Sequence, residues 1–200
     1  MLRKTMLLRT LILNLLVILL IVGLTAAGCG GRVSPTPAPP LVVASFDNCT
    51  GTNDLGGPMG AAYNPPDSLK ESYPQEPDRG CVARLEYKIA GWSAFWLKLQ
   101  GADLSPYSKL VFDVKADPQA GIPRQMKLEL KRGGEVSILY VSGIGTDWKT
   151  VNIKLADFSS AGYGAPISSW RGVEELVFTF EAAKSGPQGV VFLDNLTFAP

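Results

Sequence analysis

Several strand-like runs of this chain carry acids and bases at alternate positions: Arg84 and Glu86, Asp113, and Lys127 and Glu129, with Tyr140 on a nearby run. Two carboxylates held about 5 Å apart, or about 6.5 to 9.5 Å apart, can cleave a glycosidic bond. Glu86, Asp113 and Glu129 are the candidates for such a pair. The same residue types can instead read the hydroxyls of a ligand, because carboxylates accept hydrogen bonds while arginine and lysine donate them. No histidine is present. Its absence removes Ser-His-Asp and Cys-His nucleophilic chemistry and any histidine zinc site. Acids on strands that carry Lys or Arg two residues away usually form solvated or ion-paired faces, which weighs for binding over catalysis. The bland alternative is that these charges only keep a sheet face soluble.

The elements that must position these groups read as β throughout. Cys81 to Ile89, Lys109 to Lys115, Met126 to Lys131 and Trp148 to Leu155 alternate apolar and polar residues. Successive side chains of a strand point to opposite faces, so Met126, Leu128 and Leu130 face the core while Lys127, Glu129 and Lys131 face out. Further β-rich runs lie at Leu41 to Asp47, Trp92 to Leu99, Glu135 to Val141, Glu174 to Glu181 and Gly189 to Phe198. Turn formers such as Arg132-Gly133-Gly134-Glu135, Asp117-Pro118 and Ser185-Gly186-Pro187 separate them. Thr50 to Gly80 is rich in Gly and Pro and shows little strand pattern. About nine strands without a long helix predict an all-β antiparallel sandwich.

Residues 1–40 are read separately. Arg3, Lys4 and Arg9, the apolar run Leu11 to Leu24, and Ala26-Ala27-Gly28-Cys29 follow the plan of a secretory signal. The segment resembles the lipobox of bacterial lipoproteins, with Ala26 where that pattern prefers a larger aliphatic residue. The resemblance implies a signal peptide over 1–28, cleavage before Cys29 and lipidation of Cys29. An uncut helix is the alternative, since Leu11 to Ala27 is just long enough to cross about 30 Å of hydrocarbon. Both readings give a membrane-anchored domain outside the membrane, and the lipobox places it at the bacterial cell surface. Residues 29–40 form a Gly/Pro-rich tether with little to bury. Removing residues 1–28 takes three of 19 basic residues and no acid, leaving 16 against 18 acidic and a net charge of −2. No basic cluster remains, so nucleic acid is not an expected partner.

Residues 41–200 are expected to be one domain, long enough to bury roughly 70% of the unfolded surface. The order of its segments resembles a known group. Ser45-Phe46-Asp47 opens it, followed by Asn53-Asp54-Leu55-Gly56-Gly57, Gly91-Trp92-Ser93-Ala94-Phe95-Trp96 and Asp103-Leu104-Ser105-Pro106-Tyr107. Asp147-Trp148-Lys149, Lys154-Leu155-Ala156-Asp157-Phe158 and Val191-Phe192-Leu193-Asp194-Asn195-Leu196 complete it. This succession is similar to the galactose-binding-domain-like jelly rolls that serve as carbohydrate-binding modules, in particular family 11 and its relatives.

The resemblance implies a jelly roll whose concave face holds a polysaccharide or oligosaccharide. Arg84, Glu86, Asp113, Lys127, Glu129 and Tyr140 would project together there if their strands are neighbours. A protein partner held by the same sandwich, as in a structural or assembly lipoprotein, is the alternative. A row of aromatics facing the groove would favour sugar, and a flat apolar patch would favour protein. The resemblance also implies a structural calcium between Asp47, Asn53 and Asp194, with Asp54 in the intervening loop; turn-capping side chains without an ion are the alternative. Trp92, Ala94, Trp96 and Lys98 share one face of their run, opposite the core-like Phe95, Leu97 and Leu99; Trp96 could stack on a sugar or cover the sandwich edge, and the resemblance implies a mostly structural position, while Trp148 and Trp170 are read as lids on the core. Cys49 and Cys81 remain as an even count in an oxidising compartment, which points to a disulfide, with two separate thiols as the other reading. If Cys29 carries the anchor, Cys29→Ser should lose fatty-acid label and release at least part of the protein from membranes. Label persisting on the variant would contradict the lipobox reading.

Overall fold

Alternation of apolar and polar side chains resolves into two packed antiparallel sheets in the computed structural model, which describes residues 36–200. Pro37–Pro200 form one compact unit. The expectations for the signal segment and for Cys29 lie outside the described residues.

The strands are β1 (Leu41–Ala44), β2 (Met59–Tyr63), β3 (Ser68–Ser72), β4 (Gln75–Glu76), β5 (Gly80–Cys81), β6 (Ala83–Lys88) and β7 (Trp92–Ala102). They continue as β8 (Lys109–Ala116), β9 (Gln125–Arg132), β10 (Glu135–Ser142), β11 (Lys149–Lys154), β12 (Ser159–Ser160), β13 (Val173–Glu181) and β14 (Gln188–Ala199). A four-residue helix, α1 (Ala182–Ser185), follows β13. One sheet runs β11-β8-β14-β6-β3, with β1 also on β14; the other runs β12-β10-β9-β13-β7-β2. The all-β sandwich expected from the sequence is what forms.

The two inner faces meet in a continuous core. Phe112 of β8 packs edge-on against Phe178 of β13, with ring centroids 5.5 Å apart. Tyr87 of β6 stacks on Phe180 at 4.3 Å. Leu85, Val114 and Leu193 come from the first sheet and Phe95, Leu97, Leu128 and Leu130 from the second, all fully buried. Each such side chain contributes about 1.5 to 3 kcal/mol by leaving water.

The segment before Cys81 corrects the sequence reading. Met59–Tyr63 pairs with β7 and Ser68–Ser72 pairs with β6. Both are edge strands. Gly60-Ala61-Ala62 and Lys70-Glu71 lack large apolar residues at period two, so the usual strand signal is missing.

Cys49 and Cys81 form a disulfide across 32 residues. It holds the two-strand ribbon of β4 and β5 near the outer face of the first sheet. From that ribbon the Arg79 guanidinium donates to Asp113 and to Asp194, both at 2.9 Å, and lies 4.2 Å from the Trp148 ring centroid. Lys115 reaches the same ring at 4.9 Å and pairs with Glu76 of β4 at 2.6 Å. Trp148 is therefore a stacking surface between two cations on the outside of the sandwich, not the core lid expected; Trp170 does pack against the core. Closing a loop of this size stabilises by about 3 to 4 kcal/mol in the chain-entropy model. The Cys49→Ser/Cys81→Ser double variant should lose about that much in denaturant titration; an unchanged midpoint would show that the staple constrains nothing.

Candidate functional site

The outer face of the second sheet forms an open groove of about 810 Å³. Register fixes its floor in rows. Ile138, Glu129, Val177, Trp96 and Gly60 lie opposite one another across β10, β9, β13, β7 and β2. The next row is Tyr140, Lys127, Thr179, Ala94 and Ala62. On the other side of the first row, Lys131, Glu175 and Lys98 align. Apart from Trp96 and Lys98, the β2–β7 side is thus small and apolar, and the β9–β10 side is charged.

Trp96 is the flat surface of the apolar side. A Cβ on Gly60 would sit 2.8 Å from its Cζ2, so glycine is what lets the indole lie across the neighbouring strand. The indole N–H points to the Ala61 carbonyl at 3.4 Å. At one end, Trp92 follows a turn held by Asp67, whose carboxylate accepts the N–H groups of Ala90, Gly91 and Trp92 at 2.7, 3.0 and 2.8 Å. Those bonds, the one from Ala90 foremost, hold the Asp67 carboxyl below its ordinary pKa.

On the charged side Lys127 donates to Glu181 at 2.8 Å and pairs with Glu129 at 3.1 Å. Burial disfavours its charge, but the Glu181 hydrogen bond and the Glu129 charge outweigh that and raise its pKa. Glu129 also accepts from Thr179 Oγ1 at 3.2 Å, and Tyr140 donates to Glu181 at 2.8 Å. Glu175 is shared by Lys98 and Lys131. For Glu175 and Glu181, burial alone would raise the pKa; the lysine hydrogen bonds prevail and lower both. These carboxylates are fixed as anions.

The residues singled out from the sequence do not stay together. Lys127, Glu129 and Tyr140 share this groove, whereas Arg84, Glu86 and Asp113 stand on the opposite, outer face of the first sheet. Arg84 pairs with Glu86 at 2.8 Å. Asp113 accepts from Arg79, Thr150 and Asn195. The expectation that all six project together fails because β6 and β8 pair with β14, not with β9. Nor are Lys127 and Glu129 wet: they are 6% and 7% exposed, crowded by neighbouring strands and by Tyr163. Thr179, Glu175, Glu181 and Tyr163 are not among the binding residues expected from the sequence, and Trp96 is there only as a residue that could stack on a sugar. The alternation of β13 alone could have found three of them, since Glu175, Val177, Thr179 and Glu181 share one face.

Two of the donors proposed for calcium, Asn53 and Asp194, are otherwise engaged. Asn53 accepts from Leu55 and Gly57 and donates to the Lys98 carbonyl at 2.7 Å. Asp194 faces Arg79, which supplies a positive charge at that point. Among the described residues no group of three or more acidic or thiol side chains is arranged to hold a metal ion. Engaged in this way, Asn53 and Asp194 do not offer calcium the free oxygen ligands it requires.

A family model described as carbohydrate binding domain (family 11) matches residues 33–169, more than half of the chain. The chain belongs to that family. It is similar in fold to the family 11 carbohydrate-binding module of the cellulosomal cellulase Lic26A-Cel5E of Clostridium thermocellum, at 14% identity and a TM-score of 0.65, covering 82% of this chain and 96% of that one. A family 11 module from Clostridium thermocellum in complex with a β-1,3-1,4-mixed-linked tetrasaccharide matches at 15% identity and a TM-score of 0.66, covering 80% and 95%. A family 29 carbohydrate-binding module mutant complexed with mannohexaose matches at 15% identity and a TM-score of 0.53, covering 82% and 92%. No curated protein matches in sequence.

The ionised groove sets a pH dependence. Glu175 and Glu181 have folded pKa values below the ordinary 4.5, so their contribution is full above that pH and is lost as pH falls through the lowered values. Lys127 has a raised pKa, and its contribution is lost only in strong alkali. The melting temperature should fall below about pH 4.5, and Glu181→Gln should flatten that fall; identical acid limbs for both proteins would remove Glu181 from the account.

Proposed function

We propose that this member of carbohydrate-binding family 11 is a non-catalytic module, tethered outside the membrane through Cys29, that binds a neutral polysaccharide in the groove of its second sheet. The observation that carries the reading is the placement of Trp96 and the small residues of β2 and β7 beside a row of lysine–glutamate pairs. A pyranose offers one apolar face and a ring of hydroxyls; the indole suits the first and the paired charges suit the second. Trp92 and Tyr140 add further aromatics along the groove, which supports sugar over a docked protein.

Charge argues for a neutral ligand. Lys98, Lys127, Lys131 and Lys184 stand against Glu129, Glu175 and Glu181, an excess of one positive charge that gives little field to draw an acidic chain. Catalysis is disfavoured by the same pairs. A glycosidase needs one carboxyl that keeps its proton until the leaving group takes it, and Glu175 and Glu181 are held ionised. The tether rests on the sequence of residues 1–40.

Affinity should be that of a shallow polar groove, micromolar to millimolar or about −8 to −4 kcal/mol. Affinity electrophoresis against neutral and acidic polysaccharides should show retention by a neutral one without hydrolysis. Trp96→Ala should weaken that retention about tenfold, as loss of one stacking surface does. Retention that survives Trp96→Ala, or that is confined to acidic polysaccharides, would contradict the proposal.

A further inference from the structure

Tyr163 stands at the groove in an unusual setting. It lies between Gly162 and Gly164, both with left-handed backbone at φ 77° and 74°. The segment is anchored on both sides: β12 pairs with β10, the Val136 N–H donates to the Ala165 carbonyl at 2.7 Å, and the Ile167 N–H donates to Ser137 Oγ at 3.0 Å. Of this segment only Tyr163 lines the groove and reaches the charged row. A Cβ on Gly162 would touch nothing within 4 Å, whereas one on Gly164 would lie 3.1 Å from the Gly134 carbonyl, so the open space is on the Gly162 side.

The phenol makes a particular pair of bonds there. Lys127 Nζ donates to the Tyr163 hydroxyl at 3.4 Å, and the hydroxyl donates to Glu129 Oε1 at 3.2 Å. Burial, with the Glu129 charge adding to it, keeps this phenol protonated and able to donate. One acceptor and one donor function on a single oxygen is also what a sugar alcohol presents. The side chain making these bonds is nevertheless half exposed, at 51%.

We propose that the Tyr163 hydroxyl is a placeholder for a ligand hydroxyl at Lys127 and Glu129, and that Tyr163 gates this end of the groove by swinging out on its two glycines when a sugar enters. The inference rests on the sugar-binding reading of the same groove. With the phenol in place Lys127 and Glu129 remain satisfied, so the free protein does not leave a buried pair short of partners. The cost is a competition: a ligand hydroxyl reaches the pair only in the fraction of molecules whose Tyr163 is out, and apparent affinity falls by that fraction.

The consequence is opposite to that of a binding tyrosine. Tyr163→Phe keeps the ring but removes the competing hydroxyl, so affinity should rise about threefold to tenfold, the worth of one exchanged hydrogen bond. Glu129→Gln in the Tyr163→Phe background should cancel the gain. The probes are the β-1,3-1,4-mixed-linked tetrasaccharide and mannohexaose, titrated calorimetrically into the wild type, both variants and Tyr163→Ala, with melting curves checking that each is folded. Tighter binding by Tyr163→Phe, or binding by it alone, supports the gate. Wild-type binding that Tyr163→Phe leaves unchanged or weakens overturns the gate and leaves the sugar-binding reading standing; weakening by Tyr163→Ala alone assigns the ring as a stacking platform. Binding by none of the four proteins overturns the sugar-binding reading and the gate with it.

Discussion

Strand β13 must satisfy the core and the groove at once, and the rest of the structure is arranged around that constraint. Its inward residues, Leu176, Phe178 and Phe180, fill the space between the sheets, with Phe178 against Phe112 and Phe180 against Tyr87. Its outward residues, Glu175, Val177, Thr179 and Glu181, are the middle of the groove floor. A slip of one residue would drive two glutamates into the core and two phenylalanines into water, so the hydrophobic register and the site geometry are a single specification. Pairing on both sides, to β7 and β9, then fixes Trp96 on one side and Glu129 on the other opposite Val177.

The charged row obeys a second balance. Lys127 is too buried to be left alone, since an unpaired buried charge costs several kcal/mol, and removing one partner of such a pair typically costs about 3 to 5 kcal/mol. Three oxygens therefore converge on it, from Glu129, Glu181 and Tyr163. The result is a mutually paired set of donors and acceptors with little net charge. That suits hydroxyl recognition, where geometry matters more than field strength. The opposite face of the sandwich uses its charges differently: there Arg79, carried on a disulfide-stapled ribbon, ties β8 to β14.

Local pattern made the strands legible and left their neighbours hidden. The alternation of Met126 to Lys131 and of Cys81 to Ile89 gave correct faces, because side-chain period is a property of one strand. Which strands adjoin is a non-local matter, and so Arg84, Glu86 and Asp113 were grouped with residues that lie across the sandwich from them. Met59–Tyr63 escaped because its apolar character is carried by Gly60, Ala61 and Ala62, of which Gly60 makes room for Trp96. Trp96 itself was correctly placed on the outer side of β7, yet nothing local told a platform from a cover. Arg79 and Tyr163 sit in loops, where position comes from anchoring contacts that sequence periodicity does not encode.

A ligand on the outer face of the second sheet would be seen by amide and indole chemical-shift mapping during titration with the mixed-linked tetrasaccharide. Resonances of Ala62, Ala94, Trp96, Val177 and Thr179 should move together and saturate at one concentration, while those of Arg84, Glu86, Thr150 and Phe192 stay still. Shifts concentrated on the second set, around Arg79 and Trp148, would place the ligand on the opposite face and contradict binding in the groove.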